Sequence, residues 1–160
     1  MIPQPALKSA LEDIFRNFAY LDLQARPDAG RSAPHFSMCA QVMLGATARS
    51  SVALFLTGRA AVAASDNFVG HAATEADRED VVRELANVIA GAVRSMLDDD
   101  SLQGLGTPRL LPAEAAGTLW STTPPADRLL LADEEHVQAA VVLNLARAPG
   151  KAMLCETGRS

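Results

Sequence analysis

Cysteine, aromatic side chains and positive charge are all scarce in this 160-residue chain. Two cysteines, Cys39 and Cys155, are too few for a disulfide framework or a four-thiolate zinc site. Aromatics make up 4% of the residues, so a core must rest on Ala, Val and Leu. The chain has 14 Lys and Arg against 19 Asp and Glu, a net charge of −5, which argues against a large phosphate-binding surface for nucleic acid. No nucleic-acid partner is therefore expected. No apolar run approaches the ~20 residues needed to span a bilayer. The opening Met1-Ile2-Pro3-Gln4-Pro5 lacks a basic stretch followed by an apolar one, so the expectation is a cytoplasmic protein without membrane insertion. Also missing are a Gly-x-Gly-x-x-Gly turn, a phosphate loop ending in Gly-Lys-Ser/Thr and a His-Glu-x-x-His pair. His35, His71 and His136 lie far apart in sequence. A self-contained cofactor or metal enzyme is not expected, and neither a cofactor nor a metal site is assigned to the chain itself.

What remains is ordinary globular material: 49% hydrophobic and 21% charged residues, enough for one domain over 1–160 with a loose tail over 148–160. Leu7, Leu11, Ile14, Phe15 and Phe18 recur at helical spacing, and Pro5 suits the start of that helix. Asp28 to Pro34 is turn-like. Phe36, Met38, Ala40, Val42 and Leu44 alternate with more polar residues and read as a strand; Val52, Leu54 and Leu56 read as its hairpin partner. Arg59 to Phe68 is Ala-rich and predicts a short helix closing near Gly70. The longest helical pattern runs from Thr74 to about Leu97, opened by Thr74 and Asp77 at capping-box spacing. A short extended segment is expected around Arg109–Leu111. Arg128 to Ala132 and Val137 to Leu145 read as a second hairpin turning at Asp133–His136. The sum is an α+β domain, a mainly antiparallel sheet packed against helices.

On a helical wheel the long helix gathers Val81, Val82, Leu85, Ile89, Ala92, Val93 and Met96 on one side. Asp80, Glu84, Asn87, Gly91 and Arg94 fall on the other. Glu84 and Asn87, three residues apart, are neighbours on that outer face. Gly91 shares the stripe, where a helical glycine costs ~1 kcal/mol relative to alanine. Close approach of another backbone is a physical reason to keep it. A Glu and an Asn three residues apart are also common on solvated helices, and spacing alone leaves both readings open.

The segment Glu84-Leu85-Ala86-Asn87-Val88-Ile89-Ala90-Gly91 resembles the signature helix of the CheX family of chemotaxis phosphatases, related to CheC and FliY. The shared pattern is Glu-x-x-Asn, apolar residues, then Gly, and the order of elements and the length match as well. One departure is Ala92, where family members often carry Asn. The resemblance implies a protein that dephosphorylates the aspartyl phosphate of a CheY-type response-regulator receiver domain. Mg²⁺ would be held by the receiver's own carboxylates. In that family role Asn87 orients the attacking water and Glu84 anchors a receiver lysine. Asp80, Gly91 and Arg94 would line the contact with the phosphorylated receiver. A non-catalytic receiver-binding or adaptor module is the alternative reading, and a homodimer formed through the sheets is a further possibility.

Other polar clusters are weaker. Asp98-Asp99-Asp100 lacks the Gly and distal Glu of a calcium loop. Asp133-Glu134-Glu135-His136 is better explained as a hairpin turn. Cys39 is expected as a small buried hydrophobe in a strand, and Cys155 as a free thiol in the tail.

Overall fold

The computed structural model describes residues 2–30, 34–46, 49–97, 102 and 104–146. In chain order the elements are α1 (Gln4–Phe18), β1 (Gln24–Pro27), β2 (Met38–Leu44), β3 (Ser50–Leu56), α2 (Gly58–Val69), α3 (Glu75–Met96), β4 (Arg109–Leu110), α4 (Ala113–Thr122), a 3₁₀ turn (Pro125–Asp127), β5 (Arg128–Ala132) and β6 (Val137–Asn144). The strands form one six-stranded sheet in the order β1-β5-β6-β3-β2-β4, with antiparallel neighbours throughout. The expected α+β class and both hairpins are present. The acidic triplet Asp98–Asp100 and the tail over 148–160, with Cys155, lie outside the described residues.

Strand alternation sorts the side chains into two layers. Val52, Leu54 and Leu56 of β3, Ala40, Val42 and Leu44 of β2, Ala139 and Val141 of β6, and Leu129 and Leu131 of β5 all join one core. Leu7, Leu11, Ile14 and Phe15 of α1, Ala60, Ala61 and Ala64 of α2, and Val81, Val82, Leu85, Ala86, Ile89, Ala90 and Val93 of α3 pack against them. Each fully buried Leu or Ile in this layer, such as Leu54 or Ile89, contributes about 1.5–3 kcal/mol of transfer free energy. The opposite face holds Cys39, Ala53, Phe55, Ala140 and Val142, covered by Phe36, Ala116, Leu119 and Trp120. Alternation predicts one inward face for β3, but every residue of that strand is buried, because it sits in the middle of the sheet with cover on both sides.

Two elements are additions to the sequence reading. β1 is a short polar stretch that pairs Gln24–Pro27 with Leu129–Ala132 at one sheet edge. α4 has no buried residue of its own and lies on the second sheet face, where Phe36, Phe55 and Trp120 stack with ring centroids 5.2–5.5 Å apart. Arg128 fastens α4 from below. It pairs with Asp28 at 3.0 Å, donates to the carbonyl oxygens of Trp120 and Thr123, and lies 4.4 Å from the Trp120 ring centre. At the other edge the chain after α3 runs along β2. There Gly106 donates to the Met43 carbonyl at 2.8 Å, an approach so close that a Cβ would meet Met43 Cβ at 3.2 Å.

Candidate functional site

α3 owes its start to chemistry visible in the sequence. The Thr74 hydroxyl accepts from Asp77 N–H, and Thr74 N–H donates back to the Asp77 carboxylate at 2.9 Å. These bonds hold the Asp77 carboxyl below its usual range, chiefly through the backbone N–H and the hydroxyl of Thr74. Glu75 and Asp77 in the first turn suit the positive end of the helix dipole. From there α3 crosses the sheet against β2 and β3, flanked by α1 and α2. The buried face differs slightly from the wheel. Ala86 and Ala90 are fully buried, whereas Ala92 and Met96 are half-buried at its margin. The helix sits a fraction of a turn away from the symmetrical arrangement, with small residues toward its neighbours.

On the outer face Glu84 is exposed and Asn87 half-buried. The two are about 4.5 Å apart along the helix axis, on adjoining turns. Neither side chain makes a hydrogen bond or ion pair with any described residue. Their neighbours differ. Glu75 pairs with Arg78 at 2.6 Å, and Arg83 pairs with Asp80 at 2.8 Å and with Glu79 at 3.6 Å. Asp80 therefore spends its charge on Arg83, although its side chain stays largely open to solvent. Arg94, at the helix's far end, is half-buried, and its Nε has no hydrogen-bond partner among the described residues. Gly91 is half-buried too. Leu105 lies over it, and a Cβ there would meet Leu105 Cδ1 at 3.9 Å, an ordinary contact. Gly91, expected on the outer stripe, is thus partly covered by the chain itself, which leaves room for a methyl group.

An apolar cleft adjoins Glu84, bounded by Phe18 and Ala19 from α1, Phe68 from α2, and Val81, Leu85 and Val88 of α3. Phe18 fits the helical stripe of α1 in sequence, but its ring is 46% exposed beside Glu84 rather than in the core. Phe68 has no comparable sequence signal.

Elsewhere the structure offers little chemistry. A cavity of about 250 Å³ beside α4 is lined by Phe36, Phe55, Leu111 and Trp120, with Cys39 at its wall. Burial pushes the Cys39 thiol up to about 12, so no thiolate is available there. Asp133 closes the β5–β6 turn by accepting from Glu135 N–H, His136 N–H and the Gln138 amide. Those bonds, His136 N–H first, hold its carboxyl down to about 2. The acidic turn is structural. Among the described residues no group of three or more His, Cys, Asp or Glu is placed to hold a metal ion, and no helix is long and apolar enough to cross a membrane.

A six-stranded antiparallel sheet with the long helix α3 crossing it and a free Glu-x-x-Asn face defines a class of α+β protein. No family model matches the chain, and no curated protein does. Solved structures do. The chemotaxis protein CheX from Vibrio vulnificus superposes with a TM-score of 0.61 at 13% identity, over 87% of this chain and 95% of that one. The CheX of a CheX–CheY–BeF3–Mg complex from Borrelia burgdorferi gives 0.62 at 12% identity, over 91% and 100%. A CheC-like superfamily protein from a Shewanella species gives 0.57 at 12% identity, over 88% and 96%. The fold of this chain is the CheX/CheC-like fold.

Proposed function

We propose that the chain is a phosphatase acting on the aspartyl phosphate of a CheY-type receiver domain, with α3 presented to the receiver's active site. The observation that carries this reading is the pair Glu84 and Asn87, adjoining polar side chains without a partner among the described residues, on a helix whose other acidic groups are paired or capping. Similarity of fold to the CheX of a CheX–CheY complex supports the choice of partner.

The reaction is hydrolysis: water attacks phosphorus, the bond from phosphorus to the receiver's aspartyl oxygen breaks to release the free carboxylate, and inorganic phosphate leaves with one of the water's protons while the other passes to solvent. Such a transfer asks for positioning and charge stabilisation more than covalent chemistry. Mg²⁺ held by the receiver supplies the charge. Asn87 supplies the position, because a carboxamide both accepts from and donates to a water and brings no negative charge near phosphoryl oxygens. Half-burial limits the rotamers of Asn87, which favours a single orientation for that water. Glu84, exposed and without a cation among the described residues, takes the receiver's lysine and sets the register. Asp80, Gly91 and Arg94 border the contact. The chain needs no metal or cofactor of its own for this work.

The test is phosphate release from phosphorylated receivers of the same cell at substoichiometric enzyme. Asn87→Ala should lower kcat at least 100-fold with the fold intact, and Asn87→Asp should do no better. Glu84→Gln should raise KM. An Asn87→Ala variant as fast as wild type overturns the mechanism. A wild type that binds receivers yet leaves phosphoryl lifetime unchanged marks a binding module instead.

A further inference from the structure

Phe18 and Phe68 are exposed by 46% and 52%, a high value for phenylalanine in a chain with 5 of them. They come from different helices and meet at one cleft, with Glu84 on its wall and Val81, Leu85 and Val88 on its floor. Their placement is built rather than accidental. α1 closes with Ala19 N–H and Leu21 N–H both donating to the Phe15 carbonyl, which sends Tyr20 into the left-handed region at φ 55. The Asn67 amide of α2 then donates to the Ala19 carbonyl at 3.1 Å. That bond ties the last turn of α2 to the end of α1 and fixes Phe68 opposite Phe18.

The cleft holds only about 10 Å³. Small-molecule sites run to about 300–1,000 Å³, so this one takes part of a side chain offered by a protein surface. Its chemistry is apolar walls beside one carboxylate without a partner among the described residues. The complementary surface carries a cation for Glu84 and, next to it, an apolar side chain. We propose that Phe18 and Phe68 are the docking contact for the receiver domain, seating an apolar side chain that neighbours the lysine taken by Glu84. This rests on the reading of α3 as the receiver-facing helix. The division of labour is then spatial. Asn87 acts on the reacting water, while the two rings, one turn toward the helix's N-terminal half, hold the partner. Which receiver is accepted depends on that second contact, because every receiver offers the same phosphoryl group and metal.

Receivers of the same cell, activated with BeF3 and Mg²⁺ for binding and phosphorylated for turnover, provide the assay. Phe18→Ser and Phe68→Ser should each raise Kd and KM at least 5-fold, with kcat within 2-fold of wild type, and the double variant more. Val62→Ser on α2, an exposed position that does not line the cleft, should change neither. Phe68→Ser alone, at the more exposed ring, gives the same readout if the double variant fails to fold. Wild-type Kd in Phe68→Ser, or a fall in kcat at unchanged KM, overturns the docking contact while leaving the phosphatase reading in place. A concentration-dependent dimer lost in the variants assigns the patch to a second copy of the chain and likewise overturns it. A wild type that neither binds nor dephosphorylates any receiver overturns both.

Discussion

Replacing Gly91 by alanine separates the needs of the fold from those of a partner. Within the chain nothing forbids the methyl group: a Cβ at Gly91 meets Leu105 Cδ1 at 3.9 Å and lies inside the ordinary range of van der Waals contact. Alanine removes the backbone entropy cost of a helical glycine, worth ~1 kcal/mol. For a domain of this size that raises Tm by about 2–4 °C. The fold therefore gains from the substitution. Turnover has the opposite sign. If α3 lies against a receiver as proposed, a methyl on the contact line holds the two surfaces apart, and overpacking of ~1 kcal/mol raises KM about 5-fold. Differential scanning fluorimetry and steady-state phosphate release on the same preparation read both numbers. A lower Tm refutes the packing argument around Leu105. A higher Tm with wild-type KM refutes the placement of Gly91 at the contact.

Two further outcomes concern parts of the fold remote from α3. Arg128→Met leaves the Asp28 carboxylate buried without its cation, since the two side chains are 9% and 3% exposed, and should cost about 3 kcal/mol in urea denaturation. Emission from Trp120, the one tryptophan of the sequence, should shift to the red as α4 loosens, while kcat on receivers stays at the wild-type value. At the β5–β6 turn the Asp133 carboxyl drops from an ordinary 3.8 to about 2, so the folded state favours its ionised form. Its contribution is fully present above about pH 4 and fades as the pH falls through 2. Acid unfolding curves of wild type and Asp133→Asn should therefore diverge above pH 4 and converge below 2; a constant gap across that range contradicts the turn's hydrogen bonding.

Most of the fold was legible in periodicity. α1, α3 and both hairpins stand out because an apolar stripe or an alternation runs several residues past any chance pattern, and Thr74 with Asp77 marks the start of α3 to the residue. β1 was not legible, because Gln24-Ala-Arg-Pro carries no alternation; it is a strand only because Leu129–Ala132 offers it an edge. α4 was hidden for the opposite reason. Its Ala, Gly and Thr residues make a weak stripe, and it packs through Ala116, Leu119 and Trp120. Within the candidate site, the outward placement of Glu84 follows from the wheel. The isolation of Glu84 and Asn87 from any described partner does not, since it depends on Arg78 and Arg83 having been taken by Glu75, Glu79 and Asp80. Nor does the aromatic cleft, which arises where two helix ends, 50 residues apart from Phe18 to Phe68, are tied together by Asn67 and the Ala19 carbonyl.

The strand order carries a consequence for how the chain reaches this state. β3, the strand beneath α3, pairs with β6 from Ser51↔Asn144 to Leu56↔Ala139, and β1 waits for β5 between Gln24 and Ala132. Both pairings close loops of some 80 to 110 residues before any hydrogen bond repays the ordering, a slow kind of search. During synthesis α3 emerges with α1, α2 and the β2–β3 hairpin already made, whereas the sheet on the far side of β3 is complete only after residue 144. The helix that would meet the partner thus has its direct supports early, while the sheet beneath them closes late.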